Sequence, residues 1–261
     1  MDKVNQSRWY AQELISHVKN LNPRCHSKIS ILSGIIWILI TGAQWSSLPK
    51  NEFPPKSTCY YWYRKLSENM NFMILFQSIV ENKSKSGVNN NKESYIDASF
   101  VESKSSKNKC GYGWKGKGSN IVLLLNQNSE PISFLLESAQ PHEIRHIEKI
   151  LDQLKEEQIP EKIVGYTAYD SDKHDRILAT KFCVELIAPH RKNRVNLTQD
   201  RRKLRRLKRR YKIEQFFAHL QNFRRIVTRY EKIPQNFLNF LYLASACIIV
   251  KRSFNLLNKA A

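Results

Sequence analysis

Ser94-Tyr-Ile-Asp-Ala-Ser-Phe-Val101 is a run of aromatic and β-branched residues with one carboxylate, Asp97, set inside it. Tyr95–Val101 reads as a strand, and it marks the point where the periodicity of the chain changes. Just before it lies Lys83–Glu93, KSKSGVNNNKE, polar and nearly free of apolar residues, which reads as a linker. Upstream of that linker, residues 1–82 follow helical spacing. Trp9–Lys19 is amphipathic and ends at the Asn22-Pro23 turn. Ser27–Thr41 is apolar at 29, 31, 32, 35, 36, 38, 39 and 40, too dense for a surface helix. It is expected to be the central helix of a small bundle, closed by Gly42. Phe53-Pro-Pro55 breaks the chain, and Ser57 or Thr58 can cap a helix that runs through Lys65. That helix carries Tyr60, Tyr61, Trp62, Tyr63, Arg64 and Lys65, a mixture that suits either a DNA groove or the core of the bundle.

Downstream of Val101 strands and helices alternate. A Gly-, Ser- and Lys-rich loop extends through Ser119, and Ile121–Leu125 and Ile132–Leu136 flank the turn Asn126–Pro131 as a hairpin. His142–Glu156 reads as a helix, Ile163–Tyr166 as a strand, Asp172–Lys181 as a helix and Val184–Ala188 as a strand. Basic helices follow from Thr198 to Arg229, with an apolar helix from Pro234 onward. The order is that of a mixed α/β domain.

Charge narrows the partners. Lys and Arg number 43 against 23 acidic residues, a net charge of +20. Most of the excess lies between Arg191 and Lys232, where 16 basic residues meet only Asp200, Glu214 and Glu231. A solvated helix face normally mixes its signs, so this segment points to a polyanion whose counterions it displaces. The five cysteines include no close pair, which argues against a disulfide framework or a cysteine zinc site and for a reducing cytoplasm. MDKVNQSRWYAQ lacks the apolar core of a signal peptide. Gly34–Ile40 and Phe240–Val250 fall short of the ~18–20 residues a bilayer needs, so both are expected to be buried helices and no membrane partner is expected.

Three places could carry chemistry. Asp97 sits in an apolar strand, where a carboxylate needs a cation, a divalent metal among the candidates, unless it faces solvent on an edge. Glu214 borders the stripe Ile213, Phe216, Phe217, Leu220, Phe223 and Val227, with Arg210 one turn earlier. It is either an ion-pair partner of Arg210 or a metal ligand at the rim of the core. His142-Glu143-Ile144-Arg145-His146 matches a zinc-peptidase pattern, with His142 and His146 as ligands and Glu143 as base. Pro141 and Arg145 count against it, the first placing His142 at the helix start and the second setting a positive charge between the ligands.

The order of motifs resembles the insertion-sequence transposases of the DDE class. The resemblance rests on Gly42-Ala-Gln-Trp-Ser-Ser-Leu-Pro49 with Phe53-Pro-Pro and Ser57-Thr58, then Ile96-Asp97-Ala-Ser, Ala168-Tyr-Asp-Ser-Asp172 and Ala188-Pro-His-Arg-Lys-Asn-Arg194. Ile213-Glu214, Phe223-Arg-Arg225 and Arg229-Tyr-Glu231 complete it, over about residues 9 to 250. It implies a ribonuclease-H-like α/β core at 94–261, joined by the linker 83–93 to a helical, helix-turn-helix-like DNA-binding domain at 1–82. It also implies two Asp and one Glu holding Mg²⁺ or Mn²⁺ for phosphoryl transfer, which cleaves and rejoins transposon-end DNA. Asp97 would be the first metal ligand and Glu214 the third.

The second Asp position, by spacings of 69 and 48 residues from those two, holds Tyr166. A phenol is a poor ligand for Mg²⁺, and its ring takes up room meant for metal and water. Asp170 is the nearest replacement carboxylate and needs a remodelled turn. Asn120, Glu143, Leu207 and Gln221 are lesser departures from the family's usual Lys, Asp, Tyr and Lys. The expected phosphate contacts are Arg191, Arg194, Arg201, Arg202, Arg205, Arg206, Arg209, Arg210, Arg224 and Arg225. Such proteins work in the bacterial cytoplasm, on the nucleoid, as homo-oligomers on double-stranded terminal repeats and target DNA. Tyr166 makes reduced strand transfer the expectation for this copy, and a DNA-binding remnant that inhibits active copies the main alternative.

Overall fold

The computed structural model of the chain describes residues 2–84, 92–104, 108–140, 142, 144–194 and 201–260. They fall into two compact units, Met1–Val88 with His219–Ala261, and Asn89–Ala218. Most of the expected linker lies outside the described residues. In chain order the elements are α1 (Lys3–Leu14), α2 (Lys28–Thr41), α3 (Lys56–Glu68), α4 (Asn71–Ser84), β1 (Glu93–Ser103), β2 (Gly111–Gly113), β3 (Gly116–Asn126), β4 (Pro131–Ser138) and α5 (Arg145–Leu151). There follow β5 (Lys162–Val164), α6 (Asp172–Phe182), β6 (Glu185–Ile187), α7 (Arg201–Leu204), α8 (Tyr211–Gln221), α9 (Arg224–Val227) and α10 (Pro234–Ala260).

In the helical unit α2 is the centre. The Ser27 hydroxyl accepts from the Ser30 N–H at 3.1 Å, and Gly42 closes the helix in the left-handed region at φ 68°. Such a densely apolar helix must be covered on most sides, and α1, α3, α9 and α10 pack against it. The start of α3 differs from expectation. The Pro55 carbonyl takes the first helical hydrogen bond, from the Cys59 N–H at 3.1 Å, so Ser57 and Thr58 fall inside the first turn rather than capping it. The aromatic run of α3 divides by helical period: Trp62 and Tyr63 are buried, Tyr60 and Tyr61 exposed. The Tyr63 ring stacks on Phe240 with centroids 4.4 Å apart, and its hydroxyl donates to the Asn236 carbonyl at 2.5 Å. These contacts tie α10 to α3. By length and composition α10 could cross a bilayer, but Phe237, Phe240, Leu241, Leu243, Ala244 and Cys247 are buried, and α1, α3 and α4 supply contacts inside the unit.

The sheet unit follows the expected ribonuclease-H-like plan: an antiparallel set β1, β3 and β4, then β5 and β6 added parallel beside β1. The Asn126–Pro131 turn joins β3 and β4 as read, with the Asn126 side chain accepting from the Asn128 and Glu130 N–H groups at 2.9 Å. On one sheet face Ile96, Val122, Leu124, Leu135 and Ile163 form a core with Ile147, Ile150 and Leu151 of α5 and Leu178 of α6. Two local expectations change. The stretch before Ser119 is not all loop, because β2 turns into β3 there as a second hairpin, with Gly113 paired to Gly116. The helix after His142 is shorter than its apolar period suggested, ending at Leu151 with only a 3₁₀ turn at Glu156–Gln158.

Candidate active site

Asp97 lies in β1, between β3 and the parallel β5. The β1–β5 register pairs Ser94 with Ile163 and Tyr95 with Val164. Carried two residues further, it sets Asp97 level with Tyr166, just past the end of β5. Tyr166 begins the 3₁₀ turn Thr167–Tyr169 and is half exposed. Gly165 before it has no room for a side chain: a Cβ there would fall 2.9 Å from the buried Tyr169 ring. Glu214 stands in the first turn of α8.

One guanidinium joins these three residues. Arg210 Nη2 donates to Glu214 Oε1 at 2.5 Å, Arg210 Nη1 donates to Asp97 Oδ2 at 3.3 Å, and Arg210 Cζ stands 4.5 Å from the centre of the Tyr166 ring. Helical spacing supplies the first contact, since residues four apart share a face. Sequence reasoning missed the other two, which come from distant parts of the chain. Burial pushes the Asp97 carboxyl above its ordinary range and the Glu214 charge adds to this, against the Ala98 N–H and the Arg210 charge. Burial thus outweighs the ion pair at 3.3 Å, as expected for a carboxylate most of whose solvation the strand has removed.

Asp170 has a different environment. Arg194 Nη1 donates to its Oδ1 at 2.5 Å, the Arg191 N–H donates to Oδ2 at 2.9 Å, and His190 Nδ1 lies 3.0 Å from Oδ1. Burial alone would raise its pKa, but these partners together hold it below the usual carboxylate range. Arg194 also pairs with Asp172. Asp170 is therefore used in fixing the segment after β6 to the turn after β5.

The His142–His146 pair does not form a helical zinc site. His142 precedes α5 and His146 lies within it, so the two do not share a helix face in the manner the pattern needs. His146 is fully buried with neither ring nitrogen hydrogen-bonded, and burial lowers its pKa. Glu143 lies outside the described residues.

The basic residues separate by environment. Arg191, Arg202, Arg205 and Arg209 are exposed in the sheet unit and Arg224 in the helical unit. Arg209 Nη1 lies 3.5 Å from Glu93, and Arg206 pairs with the same carboxylate. The side chain of Arg201 is outside the described set. Arg225 corrects the expectation of a phosphate contact. It is buried, with Nε donating to Glu231 Oε1 at 2.7 Å and Nη1 to the Ala43 carbonyl at 3.1 Å, so its guanidinium is consumed inside the helical unit.

A family model for transposases of the IS4/5 family matches residues 9–76, and a model for the transposase DDE domain matches residues 92–249. The chain belongs to the DDE transposases. In fold it is similar to the piggyBac transposase in the cryo-EM structure of its synaptic complex with hairpin DNA. That likeness has a TM-score of 0.54 at 8% identity, over 100% of this chain and 68% of that one. The crystal structure of a pre-cleavage Mos1 transpososome also matches, with a TM-score of 0.24 at 9% identity over 90% of this chain and 80% of that one. No curated protein matches.

DDE transposases use divalent metal ions, which this transposase's acidic site does not fit as it stands. Among the described residues no three His, Cys, Asp or Glu side chains come close enough to share an ion. Asp97 and Glu214 share the Arg210 cation, and the third group beside that cation is the phenol ring of Tyr166.

Proposed function

We propose that this transposase binds transposon-end DNA through Arg191, Arg202, Arg205, Arg209 and Arg224, and that its strand-transfer site, built on Asp97 and Glu214, is impaired by Tyr166. The observation that carries the reading is the register of β1 and β5, which, continued two residues past the Tyr95–Val164 pair, sets Tyr166 level with Asp97. Arg210 supports it, because a guanidinium shared by Asp97 and Glu214 and stacked on an aromatic ring already neutralises the charge that would attract Mg²⁺ or Mn²⁺. Asp170 is a poor replacement ligand because His190, Arg191 and Arg194 already engage it. The second reading, a DNA-binding remnant that occupies transposon ends and inhibits active copies, is favoured by the same Tyr166 ring beside the Arg210 cation.

The test is cleavage of a labelled duplex bearing the terminal repeats that flank this coding sequence, with Mg²⁺ or Mn²⁺, by the unaltered chain and by Tyr166→Asp. Loss of a group that merely orients a metal ligand costs 10- to 100-fold, so restoring a ligand itself should raise cleavage by more than about 100-fold. Equal cleavage by both proteins would refute the assignment of Tyr166 as the defect. Binding by both with cleavage by neither favours the remnant.

A further inference from the structure

The hairpin of β2 and β3 presents two aromatic rings to water for which the acidic site has no use. Trp114 is 92% exposed, the most exposed large apolar side chain among the described residues, and Tyr112 is 74% exposed. Leaving such rings in water forgoes burial that the core could have used, so they call for a partner. The hairpin is seated closely: a Cβ on Gly113 would fall 3.0 Å from the Ala139 carbonyl oxygen, and Gly116 takes a φ of +106° that other residues rarely adopt. Beneath the rings lies a cavity of about 420 Å³.

The lining of that cavity has three kinds of group. Tyr112 and Trp114 supply flat apolar walls, Ala98 and Ala168 a small-residue floor, and Asn120, Gln140 and His142 supply hydrogen-bonding edges. Burial, with the charges of Arg191 and Arg145, holds the His142 pKa below its ordinary value, which favours the neutral ring. Two cations lie close to the lining. Lys115 Nζ stands 5.3 Å from the centre of the Trp114 ring, and Arg191 Nη2 lies 3.5 Å from both His142 Nε2 and the Ala168 carbonyl oxygen. Ala98 adjoins Asp97 in the chain and Ala168 lies two residues beyond Tyr166, but Ala98 and Asp97 point to opposite faces of β1, so the cavity is distinct from the acidic site.

A flat, polar-edged, uncharged group attached to a phosphate fits all three features, and a small apolar ligand would leave the amides and cations unused. We infer that this cavity is a nucleotide subsite, in which an unpaired base of a DNA strand stacks on Trp114 and Tyr112 while its phosphates meet Lys115 and Arg191. Asn120, Gln140 and His142 face the edge of the base. The inference rests on the DNA-binding reading above and adds to it a preference for strands with unpaired bases.

The test uses the full chain and three fluorescein-labelled DNAs: a blunt duplex, the same duplex with a five-nucleotide single-stranded extension, and that extension made abasic. Stacking of one base on an aromatic side chain corresponds to roughly 5- to 150-fold in affinity. The extended duplex should therefore bind tighter than the blunt one by a factor in that range. The ratio should fall close to one with the abasic extension and with Trp114→Ala, and Trp114→Phe should retain most of it. Circular dichroism should show all variants folded, since Trp114 is so exposed. Binding of blunt and extended DNA with equal affinity overturns the subsite alone and leaves the DNA-binding reading intact. A preference that survives Trp114→Ala or the abasic extension also overturns it, by assigning the gain to phosphates. Absence of binding to any of the three overturns the DNA-binding reading and the subsite with it.

Discussion

Replacing Arg225 with Met separates a structural arginine from a phosphate-binding one. The guanidinium makes two hydrogen bonds, to Glu231 Oε1 at 2.7 Å and to the Ala43 carbonyl at 3.1 Å, and lies 5.4 Å from the Tyr230 ring centre and 5.6 Å from that of Phe240. Glu231 is itself buried and its Oε2 has no hydrogen-bond partner, so removing Arg225 leaves both oxygens of a buried carboxylate unanswered. Met retains the apolar contacts of the stem and removes the charge. Breaking one side of a buried pair costs about 3–5 kcal/mol. For a urea dependence of about 3 kcal/mol per molar, the upper part of the usual range and suited to a chain of this size, the unfolding midpoint should fall by about 1–1.7 M. Urea titration followed by circular dichroism measures this. The double variant Arg225→Met/Glu231→Leu should recover much of the loss, because the unpaired charge and not the missing contact is the larger part of it. The reasoning fails if Arg225→Met unfolds within about 0.3 M of the unaltered chain while lowering the salt dependence of DNA binding by about one phosphate contact.

Two further outcomes follow from the same geometry. Burial, with the charges of Asp172 and Asp170, raises the Asp175 pKa from 3.8 to about 6. The folded state then holds this proton more tightly than the unfolded state, so Asp175 costs stability progressively as pH rises from about 4 to about 6, and fully above that. Asp175→Asn should therefore raise the Tm above pH 6 and leave it unchanged near pH 4, which thermal unfolding across that range measures; an equal shift at both ends would contradict the assignment. Arg202→Ala, Arg205→Ala and Arg209→Ala should each lower the slope of log affinity against log salt by about 0.9 on duplex DNA. Salt titrations that leave all three slopes unchanged would remove these residues from the interface.

Much of this protein was legible before folding because the deciding interactions are local. Ser27 and Gly42 bound α2 through hydrogen bonds and a backbone angle that involve only their near neighbours. Asn126 organises its turn with its own side chain, and the change from helical to alternating periodicity around residue 95 marks the start of the sheet. The hairpin of β2 and β3 was not legible, since a Gly-, Ser- and Lys-rich composition reads as loop. Its pairing is dictated by β3, whose further course the sheet has already fixed.

The candidate site divides in the same way. By itself the sequence determined that Asp97, Tyr166 and Glu214 are separated by 69 and 48 residues, that Arg210 and Glu214 share a helix face, and that the positive charge is concentrated after Arg191. Only the tertiary structure decided that the Arg210 guanidinium reaches Asp97 and stacks on Tyr166, that Asp170 is taken by Arg194, and that Arg225 is buried while Trp114 is not. The physical reason is range. Capping, turn chemistry and i,i+4 pairing act over a few residues and are written in the order of side chains. The solvation of a charge depends on which distant segments close over it, and the same arginine serves as a phosphate contact or a buried strut according to what the fold brings beside it.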